Sequence, residues 1–316
     1  MTAPVASATS VKSWGGANDP RARRGGKKRK VEWKAYLYIL PAFVLFTVFL
    51  GVPAVQTAQY SLFKWNGIGP STWVGLQNYA DLFSDSVLRS SFLHAGVLIF
   101  FYAVIPLVLA LFLTAIISRG ANLRGMSLFR TLLFLPQVVA SVVVATTWVA
   151  IYSPNGLINQ LLRLVGLDSL TRAWLGDFDT ALPAVGIVGS WLGIGLCLVL
   201  FLSGVANIQP ELFEAARMDG AGPVGEFFSI TLPALRGQIA VALTLTVVAA
   251  LKTFDLVYIT TRGGPGTSTT LPAFEAYNRA FNTGKVGSAA AVAIVLTALI
   301  LGVTVLIQKI QPDEVE

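Results

Sequence analysis

Five stretches of this chain run for twenty residues or more without a charged side chain: Tyr36 to Val55, Phe92 to Ile117, Thr131 to Tyr152, Ala181 to Ala206 and Val286 to Ile307. A helix of about 20 apolar residues crosses roughly 30 Å of hydrocarbon, so each run is long enough to span a bilayer. A sixth run, Ile239 to Ile259, has the same character but carries Lys252 and Asp255. Open sheet would leave backbone groups unpaired in lipid, and barrel strands would alternate in ten-residue segments that the sequence lacks. The prediction is an all-α integral membrane protein of six transmembrane helices. The first run follows a long basic segment, contains Pro41 and Pro53 and precedes five more spans, so it reads as an uncleaved helix and not as a signal peptide.

Charge sets the expected topology. Only 12% of the 316 residues are charged, about half the usual share for a soluble domain. The net charge is +7, and residues 1–34 account for all of it with nine Lys or Arg against two acids. A basic tail with a neutral remainder does not describe a nucleic-acid-binding face, which would spread Lys and Arg over a folded surface. If the N-terminus is cytoplasmic, the inner segments 1–35, 118–130, 207–238 and 308–316 hold 15 bases against 7 in the outer loops. The positive-inside rule then places both termini in the cytoplasm. Three regions are expected: a disordered basic tail over 1–35 that orients the chain and touches anionic headgroups, a six-helix transmembrane domain over 36–310, and a short cytoplasmic C-terminus over 311–316.

No catalytic set emerges. The single histidine, His94, and the single cysteine, Cys197, exclude multi-His and zinc-thiolate sites. There is no Ser/His/Asp arrangement and no carboxylate pair at a recognisable spacing. Gly220, Gly222 and Gly225 match G-x-G-x-x-G but do not follow a β-strand, and Gly284-Lys285 is followed by Val286, so neither a dinucleotide fingerprint nor a Walker A loop is present. ATP-driven transport would need the nucleotide, with its magnesium, on another chain. No cofactor and no metal are expected here.

The longest inner loop, residues 207–238, is the most informative. Pro210 and Glu211 suit a helix N-terminus, and Gly220 with Gly222-Pro223 closes it. Leu212, Ala215, Ala216 and Met218 form an apolar stripe, with Glu211, Glu214, Arg217 and Asp219 supplying polar faces. A second helix is expected from Gly225, with Phe227, Phe228 and Ile230 facing apolar surroundings, and Pro233 marks the return to the bilayer. A short helix with a stripe and charges suits a groove on a soluble partner; a solvated loop in the headgroup region is the plainer alternative.

Glu214-Ala215-Ala216, then Gly220, Ile230 and Leu232-Pro233 at their spacings, resemble the EAA motif of membrane subunits of ATP-binding-cassette importers. The resemblance implies a coupling helix seated on an ATPase subunit, with Glu214 contacting it, Asp219 beside the turn and Gly220 shaping it. Further residues resemble the carbohydrate-uptake permeases of the maltose and glycerol-phosphate type: Tyr60 to Phe63 and Val74 to Tyr79, Gly156 to Leu162 with Trp174-Leu175, and Phe254-Asp255 with Tyr258, Gly263-Gly264-Pro265 and Ser268-Thr269. The likeness covers residues 36–310. Arg262 departs from it, where a small residue is usual. The implied partners are a second, homologous permease, an ATPase dimer, an extracellular sugar-binding protein and the lipid of a bacterial plasma membrane, with no nucleic acid.

Lys252 and Asp255 stand three apart and are expected to share a helix face and pair, lowering an insertion cost of about 2.5–3.5 kcal/mol per charge. Three roles are open to them: a structural pair at the interface with the second permease, a place in the sugar pathway, or a relay in an ion-coupled secondary transporter. Trp191, Thr253, Asp255 and Tyr258 are the candidates for hydrogen bonding or stacking on a sugar. His94 reads as interfacial and Cys197 as a small apolar residue.

Overall fold

The computed structural model describes residues 34–119 and 125–310. Most of the expected basic tail and the C-terminal segment 311–316 lie outside the described residues. The described chain falls into two compact units, divided after Gly51. In the first, α1 (Lys34–Phe46) accommodates Pro41 and runs into a π turn over Thr47–Gly51; its side chains from Tyr36 to Leu50 are exposed.

The second unit opens with α2 (Val52–Tyr60). A two-residue antiparallel ribbon follows, β1 (Phe63–Lys64) against β2 (Thr72–Trp73), with Phe63 opposite Trp73. That ribbon is the one departure from all-α among the described residues. Next come α3 (Gln77–Ser84), α4 (Ser86–Ile99), α5 (Ile105–Arg119), α6 (Met126–Val138), α7 (Ser141–Ile151) and α8 (Leu157–Leu164). The chain continues through α9 (Ala181–Val205), α10 (Pro210–Met218), α11 (Pro223–Glu226), α12 (Leu232–Ala234), α13 (Arg236–Lys252), α14 (Asp255–Thr260), α15 (Pro272–Tyr277) and α16 (Val286–Ile310).

Four helical stretches are long and apolar enough to cross a bilayer, Tyr36–Tyr60, Ser86–Ile117, Ala181–Val205 and Val286–Lys309, and two bent pairs bring the number to as many as six. Two of the expected spans are thus bent pairs of helices and not single rods. The third span turns by 99° between Ser127–Val138 and Ser141–Ile151, because Val139 and Ala140 take extended backbone just after Pro136. The fifth does not run as one helix over 239–259. Pro223–Ala234 bends by 68° into Arg236–Lys252, and Thr253 then leaves helical geometry before α14 begins at Asp255.

α9 is the hub. It is apolar on all sides and packs on α5, α6 and α13, with Ile187, Trp191 and Val199 left exposed. Its glycines let those neighbours approach: an added Cβ would run into the Tyr102 ring at Gly189 and into the Leu133 carbonyl at Gly195. Leu98, Val185, Val188, Val257 and Leu271 centre one buried cluster, and Ile117, Leu198, Phe201 and Leu235 a second. Cys197 is fully buried in the second, as an apolar residue would be.

Candidate functional site: the 207–238 loop and the broken spans

α10 begins with Pro210 at its first turn and Glu211 beside the positive end of the helix dipole. It ends in a Schellman closure. The Gly220 amide donates to the Arg217 carbonyl (3.0 Å) and the Ala221 amide to the Ala216 carbonyl (2.9 Å), with Gly220 at φ +82°, where an L side chain is strained. No residue of α10 is fully buried. On one stripe of the helix Phe213 is half-buried while Pro210, Glu214 and Arg217 stay exposed at the cavity rim. They line a cavity of about 280 Å³ with Ala115, Val205, Glu226, Phe227 and Thr231. Leu212, Ala215 and Met218, three of the four residues expected in the apolar stripe, are exposed, as is Asp219, while Ala216 is half-buried.

Arg217 Nε donates to Glu226 Oε1 at 2.9 Å. The carboxylate is the buried member, 8% exposed against 62% for Arg217. The hydrogen bond from Arg217 to Glu226, then the charge of Glu226 and that of Glu214, push the guanidinium further above its usual value. Sequence reasoning placed Arg217 on a polar face and missed Glu226, whose partner stands nine positions away across a turn. Of the second helix, Phe227 and Ile230 are half-buried against this chain and Phe228 is exposed, with Phe227–Thr231 wound as a π turn. Leu232 and Pro233 occupy α12, just ahead of the 68° bend.

Lys252 and Asp255 do not pair. Among the described residues no ion pair joins them, because the helix stops at Lys252 and restarts at Asp255, so the two do not share a face. Asp255 Oδ2 instead accepts from Ser141 Oγ at 3.0 Å. The hydroxyl of Thr253, a buried residue, bonds back to the Ala249 carbonyl (2.8 Å). Tyr258 stacks on Phe254 at 5.2 Å between centroids. Trp191 meets Trp148 edge to face at 5.6 Å. α7 thus connects the candidates, carrying Ser141 at its first residue and Trp148 two turns on. Sequence reasoning missed both, although Pro136 signalled the break that puts Ser141 at a helix start. Trp148 lay inside an apolar run that gave no cue.

A further polar centre sits where the ribbon meets the start of α16. Arg279 Nη2 donates to Asp85 Oδ2, its Nε to Glu275 Oε1 (2.8 Å) and its Nη1 to Ser288 Oγ (2.8 Å). Asp85 Oδ1 accepts from the Val87 and Leu88 amides and so caps α4. Burial raises the Asp85 pKa, but the Leu88 amide, Arg279 and the Val87 amide together hold it below the usual carboxylate value. Asp85, Glu275 and Arg279 border a cavity of about 630 Å³ that reaches Tyr258, Phe274, Asn278 and Arg262. Arg262 sits at φ +50°, which gives the departure noted at this position a structural meaning: the turn uses left-handed backbone. His94 Nδ1 lies 3.0 Å from the Thr270 carbonyl, tying α4 to the same loop. The Glu275 to Arg279 spacing of four was a readable signal for this ion pair.

Residues 110–314 match the family described as binding-protein-dependent transport system inner membrane component. Among relatives, "Probable ABC transporter permease protein YurN" of Bacillus subtilis is 38% identical over 280 residues, covering 87% of this chain and 94% of that one. The diacetylchitobiose uptake system permease protein NgcF of Streptomyces coelicolor is 34% identical over 298 residues, covering 89% and 84%. The fold is shared with a chain of the crystal structure of a bacterial alginate ABC transporter in complex with alginate pentasaccharide-bound periplasmic protein, at TM-score 0.73 and 23% identity, covering 87% and 92%.

Proposed function

The chain belongs to the binding-protein-dependent transport system inner membrane component family, and from that premise we propose that it is one of two homologous permease subunits of a carbohydrate importer in a bacterial plasma membrane. An extracellular sugar-binding protein delivers the substrate to the end that carries the ribbon and the 261–285 loop. An ATPase dimer, holding ATP and magnesium, engages the opposite end at α10, and both termini are cytoplasmic. This chain itself binds no cofactor. The diacetylchitobiose system of the relative NgcF supports a saccharide as the substrate class.

The observation that carries the reading is the outward face of α10. Leu212, Ala215 and Met218 are exposed on a helix that ends in a Schellman turn and has no buried residue, the form of a helix that completes its packing in a groove on another protein. Glu214, Ala215, Ala216, Asp219 and Gly220 form the docking end; Ile230, Leu232 and Pro233 lead into the bend of span five. Around the breaks, Trp191, Thr253, Asp255 and Tyr258, with Ser141 and Trp148, border the substrate path. Movement of α10 on ATP-driven closure of the ATPases rearranges the broken spans by rigid-body shifts. An ion-coupled relay through Lys252 and Asp255 has no support, since the two are not paired and the family is of another class.

Glu214→Arg and Gly220→Trp are expected to abolish uptake while leaving sugar binding by the extracellular protein intact, and uptake in vesicles is expected to require ATP. Normal uptake by both variants, or uptake on an ion gradient without nucleotide, refutes the reading.

A further inference from the structure

α10 is joined to α11 by Asp219, Gly220, Ala221 and Gly222. The Schellman bonds tie Gly220 and Ala221 to α10, but Gly222, between them and α11, keeps the wide backbone freedom of glycine and leaves a joint there. With no buried residue on α10, packing against its own chain holds the helix only loosely. A push on its exposed face would be dissipated by rotation at this joint unless something crosses it.

Arg217 and Glu226 cross it. Arg217 lies in the last turn of α10 and Glu226 at the end of α11, and the 2.9 Å bond between them bridges the glycine joint. The anchor is firm because the Glu226 carboxylate is 8% exposed and takes the Arg217 guanidinium at 2.9 Å, a charge-assisted bond whose acceptor is shielded from water. The lever is free to follow, because Arg217 reaches in from the solvent side. Glu226 also belongs to the Pro223–Ala234 segment that continues through the 68° bend into α13, and α13 ends at the break before Asp255.

We propose that the Arg217–Glu226 pair is a strut that makes the coupling helix and the foot of span five move as one body. Arg217 is a positioning residue: it acts through Glu226 and touches neither nucleotide nor substrate. The idea rests on the reading of α10 as the ATPase-docking helix and adds to it the route by which motion leaves that helix.

The test uses the complete transporter, this chain with its partner permease, ATPases and binding protein, reconstituted in vesicles. Uptake and ATP hydrolysis are measured side by side for R217E, E226R and the R217E/E226R double variant, with co-purification of the ATPase recorded for each. Each single reversal is expected to lower uptake per ATP by roughly 2- to 30-fold, the range for residues that modulate coupling between sites, and the double variant is expected to recover most of it. ATPase co-purification should be unchanged, which separates lost transmission from lost docking. Uptake per ATP at the wild-type level in both single variants overturns the strut while leaving docking at α10 intact. A double variant no better than the singles also overturns it. An ATPase that co-purifies with wild type and equally with Gly220→Trp and Glu214→Arg, both with normal uptake, removes the docking reading and the strut with it. Should a reversal prevent assembly, R217Q removes the charge at similar size, and wild-type uptake per ATP from R217Q overturns the proposal.

Discussion

Replacing Arg279 by Met tests the largest electrostatic commitment in the described structure. Arg279 is 9% exposed and its partner Glu275 10%, so the substitution leaves a buried carboxylate without its cation. Breaking such a pair from one side costs about 3–5 kcal/mol. Glu275 borders the 630 Å³ cavity, and water from it can solvate the orphaned oxygen, which favours the low end, about 3 kcal/mol. Asp85 is 33% exposed and keeps its two amide donors, so its loss adds only the surface-pair amount of about 0.5 kcal/mol. At roughly 2–4 °C per kcal/mol for a chain of this size class, the melting temperature should fall by about 7–14 °C. The single thiol supplies the assay: Cys197 is buried and reacts with a thiol dye only as the fold opens. The control is E275L/R279M, which removes both charges and is expected to recover most of the loss, because an apolar replacement of a whole buried pair is often neutral. An R279M shift under about 2 °C, or a double variant as unstable as the single, refutes the claim that the pair is desolvated.

Two further outcomes follow from the same structure. The Asp85 carboxyl has a folded pKa below its unfolded value, so its contribution is fully present above about pH 4 to 5 and is lost as pH falls through the folded value. The melting temperature of Asp85→Asn should therefore lie below wild type by a constant margin at neutral pH and converge with it in acid; a margin that is the same at pH 3 as at pH 7 contradicts this. Ser141→Ala frees Asp255 from its 3.0 Å hydrogen bond and is expected to change the substrate concentration for half-maximal uptake by about 2- to 10-fold, the equivalent of the roughly 0.5–1.5 kcal/mol of an exposed hydrogen bond, with ATPase co-purification unchanged. An unaltered uptake curve would remove this pair from the substrate path.

The run lengths of apolar residues fell on the four helices long and apolar enough to span and overlapped both bent pairs, because insertion into hydrocarbon imposes that length on the sequence directly. The α10 loop was legible for a similar reason: Pro210 and Gly220 act locally, and both sit where their backbone preferences require. What escaped was whatever depends on two distant segments. Asp85 and Arg279 lie 194 residues apart, and Ser141 and Asp255 lie 114 apart; no pattern in one stretch announces the other. The Lys252–Asp255 expectation failed on a local point instead. An i, i+3 spacing places two residues together only if the helix continues, and Thr253 leaves helical backbone between them.

That break has a counterpart in the third span. α7 begins at Ser141 immediately after the 99° turn, and α14 begins at Asp255 immediately after the interruption of span five. The two restarts are joined by the Ser141–Asp255 hydrogen bond, and α14 packs along α7. Irregular backbone at membrane depth is tolerated where protein buries it or where it lines a polar cavity. Both Ser141 and Asp255 are exposed on this chain. A rod-like span would carry movement of the α10 loop straight to its far end, whereas a jointed one delivers it to the joint. The bend at Leu235, the break at Thr253 and the turn at Val139-Ala140 therefore divide spans three and five into segments that meet near Asp255, alongside the unbroken α9 that packs on α5, α6 and α13.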